Sequence, residues 1–180
     1  MTALCLVFSA CSRGVTADDR AGEIQVEYSA GNDLTLTGNV TADYGEKIYE
    51  FRLKYTGNHT DGRVEILSPE ELAGIAARLD RDGRTLEYDG CELSIGSVAG
   101  DGLSPMECIP FMLHEWGHGY ISGAAAEKLG GAETVAVTFE TGENETLVTW
   151  FEAETNLPVR SEIYFDGDMV ISCEFENIIT

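Results

Sequence analysis

Apolar and polar residues alternate along most of the chain, and this period of two is typical of antiparallel strands with one buried face. The clearest case is 47–55, KIYEFRLKY, where aromatic and aliphatic side chains alternate with charged ones. The same alternation occupies 23–29, 33–44 and 63–67. Each of these segments is predicted to be a strand.

The C-terminal part of the chain repeats the alternation, with Gly, Asp and Asn at the positions where turns are expected. The strands predicted there are 133–141, 145–153, 158–165 and 169–178. A further hairpin is predicted over 85–96, with its turn at Asp89-Gly90. Together these patterns predict about nine to eleven strands.

Two segments carry signals for the start of a helix instead. At 67–71 the sequence Leu-Ser-Pro-x-Glu provides an N-cap serine, a proline in the first turn and a glutamate for a capping box. The same five-residue pattern recurs at 103–107. The sequence therefore predicts one helix over 67–80 and a second that begins at Ser104 and contains 113–120.

The second predicted helix has two different faces, because its apolar side chains form one stripe at 3.6 residues per turn. This stripe comprises Met106, Ile109, Leu113, Trp116 and Tyr120. The opposite or flanking side carries Glu107, His114, Glu115 and His118. We therefore expect the apolar stripe to face the core and the histidines to face away from it.

A long sheet with one apolar face and only two helices must curve around those helices to bury its surface. The sequence therefore predicts a mainly β fold, a curved, antiparallel, unclosed β-barrel whose concave face is plugged by two helices. Residues 23–180 contain no linker and are expected to form one domain, after a leader and tether at 1–22.

The charge of the chain narrows the range of partners. Among its 180 residues are 32 acidic and 11 basic ones, which give a formal net charge of -21. Such a surface repels phosphate groups, so nucleic acids and anionic lipid surfaces are poor partners. The acidity fits a protein that stays soluble outside a cell.

The N-terminal residues indicate export from the cytoplasm. Residues Ala3–Ala10, ALCLVFSA, form an apolar run that is too short to span a bilayer and resembles the h-region of a secretory signal. The stretch VFSAC resembles a bacterial lipobox, which implies lipidation at Cys11 and a protein anchored extracytoplasmically to the cell membrane. A plain secretory signal is the alternative.

The predicted domain contains three further cysteines, Cys91, Cys108 and Cys173, without C-x-x-C spacing. This odd number provides neither a disulfide framework nor a cysteine-rich zinc site. At most one disulfide can form among the three, and burial as free thiols is the alternative.

The segment His114-Glu115-Trp116-Gly117-His118 matches the zinc-binding pattern H-E-x-x-H. On a helix this spacing places two imidazoles on one face, where they can hold Zn²⁺, with the glutamate beside them as general base. The motif therefore raises the hypothesis of a zinc-dependent metallopeptidase with His114 and His118 as ligands and Glu115 as base.

A zinc peptidase also needs a third protein ligand and an open coordination position. The metzincin extension is missing, because Ile121 and Ala124 occupy its glycine and histidine positions. The only other histidine, His59, lies far upstream in a predicted turn, and no helix is predicted after Glu133 to supply a glutamate. The favoured interpretation is therefore a structural helix with two surface histidines, and zinc is the alternative.

The C-terminal segment TLVTWFEAETNLPVRSEIYFDGDMVISCEFENI resembles the end of LolA/LolB-like lipoproteins, where T-x-L-P-V-R leads into E-I-x-x-D-G and a final strand. The middle of the chain, with PEELAGIAARL, LEYDGCELSIG and LSPMECIPFMLHEW, is similar to the helix-hairpin-helix order of small lipid-anchored members. These regions cover most of 64–178. The resemblance implies an unclosed half-barrel that binds acyl chains, lipoproteins or another hydrophobic partner, without catalysis.

A ligand cavity of such a half-barrel is expected between the sheet and the helices. The candidate lining residues are Phe51, Leu53, Leu113, Trp116, Tyr120, Val137 and Phe139. The sequence thus favours a cell-envelope lipoprotein that binds a hydrophobic ligand or a partner protein and needs no cofactor. A zinc peptidase, and a scaffold with a filled core, are the alternatives.

Overall fold

The computed structural model describes residues 16–80, 83–96 and 102–180, and these form one antiparallel sheet and two α-helices. The helices are α1 (Ala17–Ser29) and α2 (Pro105–His118). The strands are β1 (Leu34–Asp43), β2 (Ile48–Gly57), β3 (Gly62–Ser68), β4 (Ala76–Asp80), β5 (Gly83–Tyr88), β6 (Cys91–Gly96), β7 (Tyr120–Leu129), β8 (Ala132–Gly142), β9 (Glu145–Glu152), β10 (Pro158–Phe165) and β11 (Asp168–Ile179).

The strand order within the described residues is β6-β5-β4-β3-β2-β1-β11-β10-β9-β8-β7. The sheet does not close, since β6 and β7 form its two edges and do not pair with each other. One face is covered by the helices, with α1 against β7 and β8 and α2 against β1, β2 and β3. The predicted fold, an unclosed antiparallel half-barrel with two helices on its concave face, is therefore confirmed.

Residues 23–29 were predicted as a strand, and this prediction is wrong, because they belong to α1. The helix begins after Thr16, whose hydroxyl accepts the Asp19 N–H at 3.1 Å while the Asp19 carboxylate accepts the Thr16 N–H at 3.0 Å. This capping box lies in the segment interpreted as a tether, so 17–22 are helical as well. The buried Ala21 and Ile24 are three residues apart, which is a helical spacing.

The helix predicted over 67–80 is also wrong. Only Glu70–Leu72 form a turn of 3₁₀-helix, after which the chain continues as β4 between β3 and β5. Gly74 adopts a φ of +88°, which is incompatible with a continuing right-handed helix. The helix-start signal at 67–71 therefore produces one turn, and the following alanines, Ala76 and Ala77, are buried in the sheet.

Strand β7 was missed by the sequence analysis. Its residues 123–126, Gly-Ala-Ala-Ala, show no alternation of apolar and polar side chains. It lies at one edge of the sheet and pairs only with β8 among the described strands. The other predicted strands and the hairpin at Asp89-Gly90 agree with the structure.

The core is built around the inner face of α2. Its buried residues are Cys108, Ile109, Met112, Leu113, Trp116 and Gly117. The Trp116 indole packs edge-on against Tyr28 of α1, Phe151 of β9 and Phe175 of β11, with ring centroids 5.1–5.5 Å apart. Its Nε1–H donates to the Thr149 hydroxyl at 2.8 Å, so the one polar atom of the buried ring is satisfied.

The three cysteines of the domain are all free. Cys108 of α2 and Cys173 of β11 are completely buried, and burial raises the pKa of the Cys108 thiol to about 12. Cys91 is exposed at the start of β6. Cys11 and the lipobox lie outside the described residues. Within the described part of the chain, neither helix is long and apolar enough to cross a membrane.

We expect Trp116→Phe to lower the free energy of unfolding by about 1–3 kcal/mol, because it leaves the buried Thr149 hydroxyl without its indole donor and creates a void. Trp150→Phe is the matched control, since its indole donates to the exposed Glu127 carboxylate. That change is expected to alter stability by less than about 0.5 kcal/mol. Urea denaturation measures both, and equal losses would contradict the role given to Trp116.

Candidate functional site

The outer face of α2 forms one wall of an open cleft of about 490 Å³. The lining residues come from β2, β4, β5, α2 and β8, together with the β2–β3 turn, so the cleft reaches across the opening of the half-barrel. They are Tyr55, His59, Thr60, Leu79, Asp80, Arg84, Glu107, Pro110, Phe111, His114, Glu115 and Thr141. The cleft therefore combines apolar side chains with charged ones.

An ion pair connects the two sides of this cleft. Arg84 of β5 lies with its Nη1 2.6 Å from Oε1 of Glu107 in α2. Both side chains are largely withdrawn from solvent, with 16% and 19% of their surface exposed. Because α2 otherwise contacts mainly α1 and β1–β3, this pair ties the helix to the outer hairpin of the sheet.

The H-E-x-x-H segment divides between the two faces of α2. His114 and His118 are exposed and Glu115 is half-buried, whereas Trp116 and Gly117 are buried. The prediction that the histidines face away from the core is confirmed. Tyr120 is a correction, because the helix ends at His118 and Tyr120 is 68% exposed at the start of β7 instead of continuing the apolar stripe.

Each histidine of the motif donates a hydrogen bond through its Nδ1. His114 Nδ1 lies 3.0 Å from Oε1 of Glu115, and His118 Nδ1 lies 3.2 Å from the carbonyl oxygen of His114. A carboxylate and a carbonyl only accept, so Nδ1 is the donor in both rings. In the neutral form of each ring the lone pair is therefore on Nε2.

The third histidine of the chain, His59, lies close to the other two in the fold, although it is 55 residues upstream of His114 in the sequence. Its ring centroid lies 4.6 Å from that of His118 and 6.4 Å from that of His114. The centroids of His114 and His118 are 5.1 Å apart. Gly31, after α1, leaves room for the ring, since a Cβ there would lie 2.9 Å from His59 Cε1. Burial, with His118 and His114 nearby, lowers the pKa of His59.

Gly117 explains why the two helices lie so close together. A Cβ at this position would lie 3.0–3.1 Å from backbone atoms of Tyr28 and Ser29 in α1. Glycine on the buried side of the motif thus lets the two helices approach closely, because any side chain there would force the backbone of α1 to shift. The last turns of the helices are further connected by Gln25, whose Nε2 donates to the Gly119 carbonyl at 2.7 Å.

The residues predicted to line a ligand cavity lie mainly in the packed core. Leu53, Leu113, Trp116, Val137 and Phe139 are at most 3% exposed and belong to one apolar cluster. Phe51 is half-buried against that cluster. A ligand that reaches these side chains has to replace existing contacts between α2 and the sheet, so their role as cavity lining remains a prediction.

The cleft residues that the sequence analysis did not identify include Leu79, Arg84, Pro110 and Phe111. Leu79 was assigned to a helix, and only its correct placement on β4 brings it opposite α2. The signal for Phe111 was available, because residues 107, 111, 114 and 118 follow helical spacing on the outer face of α2.

The residues required for a zinc peptidase do not assemble as that hypothesis demands. After α2 the described chain consists of strands and turns up to Ile179, so no helix supplies a third ligand from downstream. As placed, no group of three or more His, Cys, Asp or Glu side chains among the described residues is arranged to hold a metal ion. Zinc and catalysis by Glu115 remain predictions.

No family model matches the chain, and no curated protein sequence matches it significantly. Solved structures do match. An uncharacterized conserved protein from Thermus thermophilus has 13% identity over 88% of this chain and 87% of that chain, with a TM-score of 0.53. A LolA superfamily protein from Nitrosomonas europaea has 9% identity over 92% and 93%, with a TM-score of 0.46.

The MucA/MucB complex of Pseudomonas aeruginosa also matches, with 14% identity, 91% of this chain and 56% of that chain covered, and a TM-score of 0.48. At such identities the matches concern the fold alone. The unclosed half-barrel that the LolA/LolB-like resemblance implied is confirmed by the sheet order and the two helices described above.

We expect Gly117→Ala to lower the free energy of unfolding by about 1–3 kcal/mol, because the added methyl group pushes α1 away from α2. Gly22→Ala is the matched control, since Gly22 lies in α1 and a methyl group added there would have no neighbouring atom within 4 Å. It should raise stability by about 0.5–1 kcal/mol through helix propensity. Denaturant titrations of both variants provide the measurement, and stabilisation by Gly117→Ala would contradict the close helix crossing.

Proposed function

We propose that this protein is a cell-envelope binding protein, anchored to the membrane through Cys11, that holds the acyl chain of a lipid or of a lipoprotein partner without catalysis. The observation that supports this function is the cleft between α2 and the outer strands. Its volume of about 490 Å³ falls within the range of small-molecule sites.

The chemistry of the cleft suits a ligand with an apolar chain and a polar head. Leu79, Pro110 and Phe111 offer apolar surface on facing elements, β4 and α2. The Arg84–Glu107 ion pair lies beside them and offers both a cation and an anion to a polar head group. An apolar chain buried against the first group gains the usual hydrophobic stabilisation.

A longer acyl chain needs space that the filled core does not offer while α2 remains in place. The inner face of α2 covers the concave face, and the outer side of the helix is held by Arg84 and Glu107. An outward shift of α2 exposes the apolar cluster that includes Leu53 and Trp116. In this proposal the ligand enters at the cleft and extends beneath the helix.

Exposed apolar side chains at the tips of two neighbouring hairpins offer a surface to a lipoprotein partner. The β1–β2 hairpin carries Tyr44, Ile48 and Tyr49, all more than 40% exposed, and the β10–β11 hairpin carries Phe165 and Met169. The two tips are adjacent, because β1 pairs with β11. Clustered apolar surface of this kind is typical of interaction sites.

Leu79→Gln tests the cleft. We expect it to weaken the binding of a fluorescent fatty acid about tenfold, because the amide loses water when the acyl chain covers it. Leu93→Gln is the matched control, since Leu93 is 61% exposed on β6 and does not line the cleft. Fluorescence titration gives the affinities, and thermal melting establishes that both variants fold.

Equal affinity of the Leu79 and Leu93 variants would contradict binding in the cleft. If the unmodified protein neither binds the probe nor co-purifies with lipid, as judged by mass spectrometry of organic extracts, acyl binding itself is wrong. The filled-core scaffold is then the better description.

Cys11→Ser tests the anchor. In a bacterial host fed an alkyne-labelled fatty acid, this variant should lose both the label and its place in the membrane fraction. Cys5→Ser is the matched control in the same leader and should keep both. Unchanged labelling of the Cys11 variant would rule out lipidation at this position.

A further inference from the structure

We propose that His59, His114 and His118 together bind one divalent transition-metal ion, of which Zn²⁺ is the first choice. This proposal does not rest on acyl binding. It also differs from the peptidase hypothesis, because the third ligand comes from an upstream turn and no chemistry on a substrate is assigned to it.

The three histidines of the chain lie close together in the fold. The sequence of 180 residues has only three, and two separate parts of the fold bring all three to one place. His114 and His118 are one helical turn apart on the outer face of α2, and His59 lies in the turn between β2 and β3. Three imidazoles are a common set of protein ligands for zinc and leave one position open.

The two histidines on α2 both donate a hydrogen bond through Nδ1. Zinc-bound histidines usually donate their other ring N–H to a carboxylate or a backbone carbonyl, which fixes the tautomer. His114 donates in this way to Glu115, and His118 donates to the His114 carbonyl. When these rings are neutral, the lone pair available to a metal ion is therefore on Nε2.

The three rings are separated by distances similar to those between imidazoles that share one zinc ion. With Zn–N bonds of about 2.0–2.1 Å and tetrahedral angles, the centroids of two coordinating imidazoles lie roughly 5 Å apart. The observed separations are 4.6, 5.1 and 6.4 Å. As placed, the three side chains are not arranged around one metal position. Metal binding therefore requires the exposed His114 and His118 rings to rotate about their side-chain torsions and to exchange their present Nδ1 hydrogen bonds for coordination.

The surroundings favour a cation and allow it to enter. His59 and His114 line the open cleft, and so do Asp80, Glu107 and Glu115. The Glu115 carboxylate is only 13% exposed, and it contacts the His114 ring. A net charge of -21 raises the local concentration of divalent cations around the whole molecule.

The test uses the full chain, purified without a polyhistidine tag and freed of metal by a chelator. Zn²⁺ is titrated by calorimetry and by competition with a chromophoric chelator, in millimolar Mg²⁺ to occupy surface carboxylates. We expect one Zn²⁺ per chain with micromolar or tighter affinity, and a rise in the melting temperature. Co²⁺ should bind at the same site and give the absorption bands of a tetrahedral complex.

Single replacements by glutamine separate a three-histidine site from a pair on one helix. We expect His59→Gln, His114→Gln and His118→Gln each to weaken Zn²⁺ binding at least tenfold, with far-UV circular dichroism unchanged. If His59→Gln binds Zn²⁺ like the unmodified chain, only the helical pair binds and the proposal is wrong. Absence of binding in the unmodified chain, or its loss in Mg²⁺, overturns the proposal as well.

Discussion

The close packing of α1 against α2 is the constraint on which the rest of the structure depends. An unclosed sheet leaves a whole apolar face to be covered, and two helices cover it only if they lie side by side. Gly117 permits this approach because a Cβ there would lie only 3.0–3.1 Å from backbone atoms of Tyr28 and Ser29. Trp116, the neighbouring residue, then contacts α1, β9 and β11 at once, so a single turn of α2 joins the two helices to the C-terminal half of the sheet.

The same turn of α2 also positions the side chains that can bind a ligand or a metal ion. Because Trp116 and Gly117 fix the helix from within, His114 and His118 are held on its outer face at a constant spacing, next to Glu115 and the cleft. The cleft and the histidine cluster therefore share the outer face of α2, and His59 and His114 belong to both. Movement of α2 away from the sheet would change the distance between its histidines and His59, so an acyl ligand beneath the helix and a metal ion upon it would influence each other.

The sequence predicted the sheet far better than it predicted the first helix and the site. Alternation identified strands such as β2 and β9 because one face of each is buried, and it failed for β7, whose edge position requires no such pattern. In 23–29 the spacing of the apolar residues fits both the period of a strand and the period of a helix. The capping box at Thr16 favours the helix that the structure contains. His59 could not be placed, because its contact with α2 depends on how far the sheet curves, a property of the whole fold and not of the turn that carries it.

The pairing of β1 with β11 has a consequence for how the protein is made. These two strands are neighbours at the centre of the sheet, although they lie at opposite ends of the domain sequence. The β2–β6 and β7–β10 halves can form locally, but they are joined only when β11 is present. Contacts between strands that are as far apart in the sequence as β1 and β11 form slowly. In a chain that is still being synthesised, the β1–β11 pairing therefore cannot form until the last strand has been made.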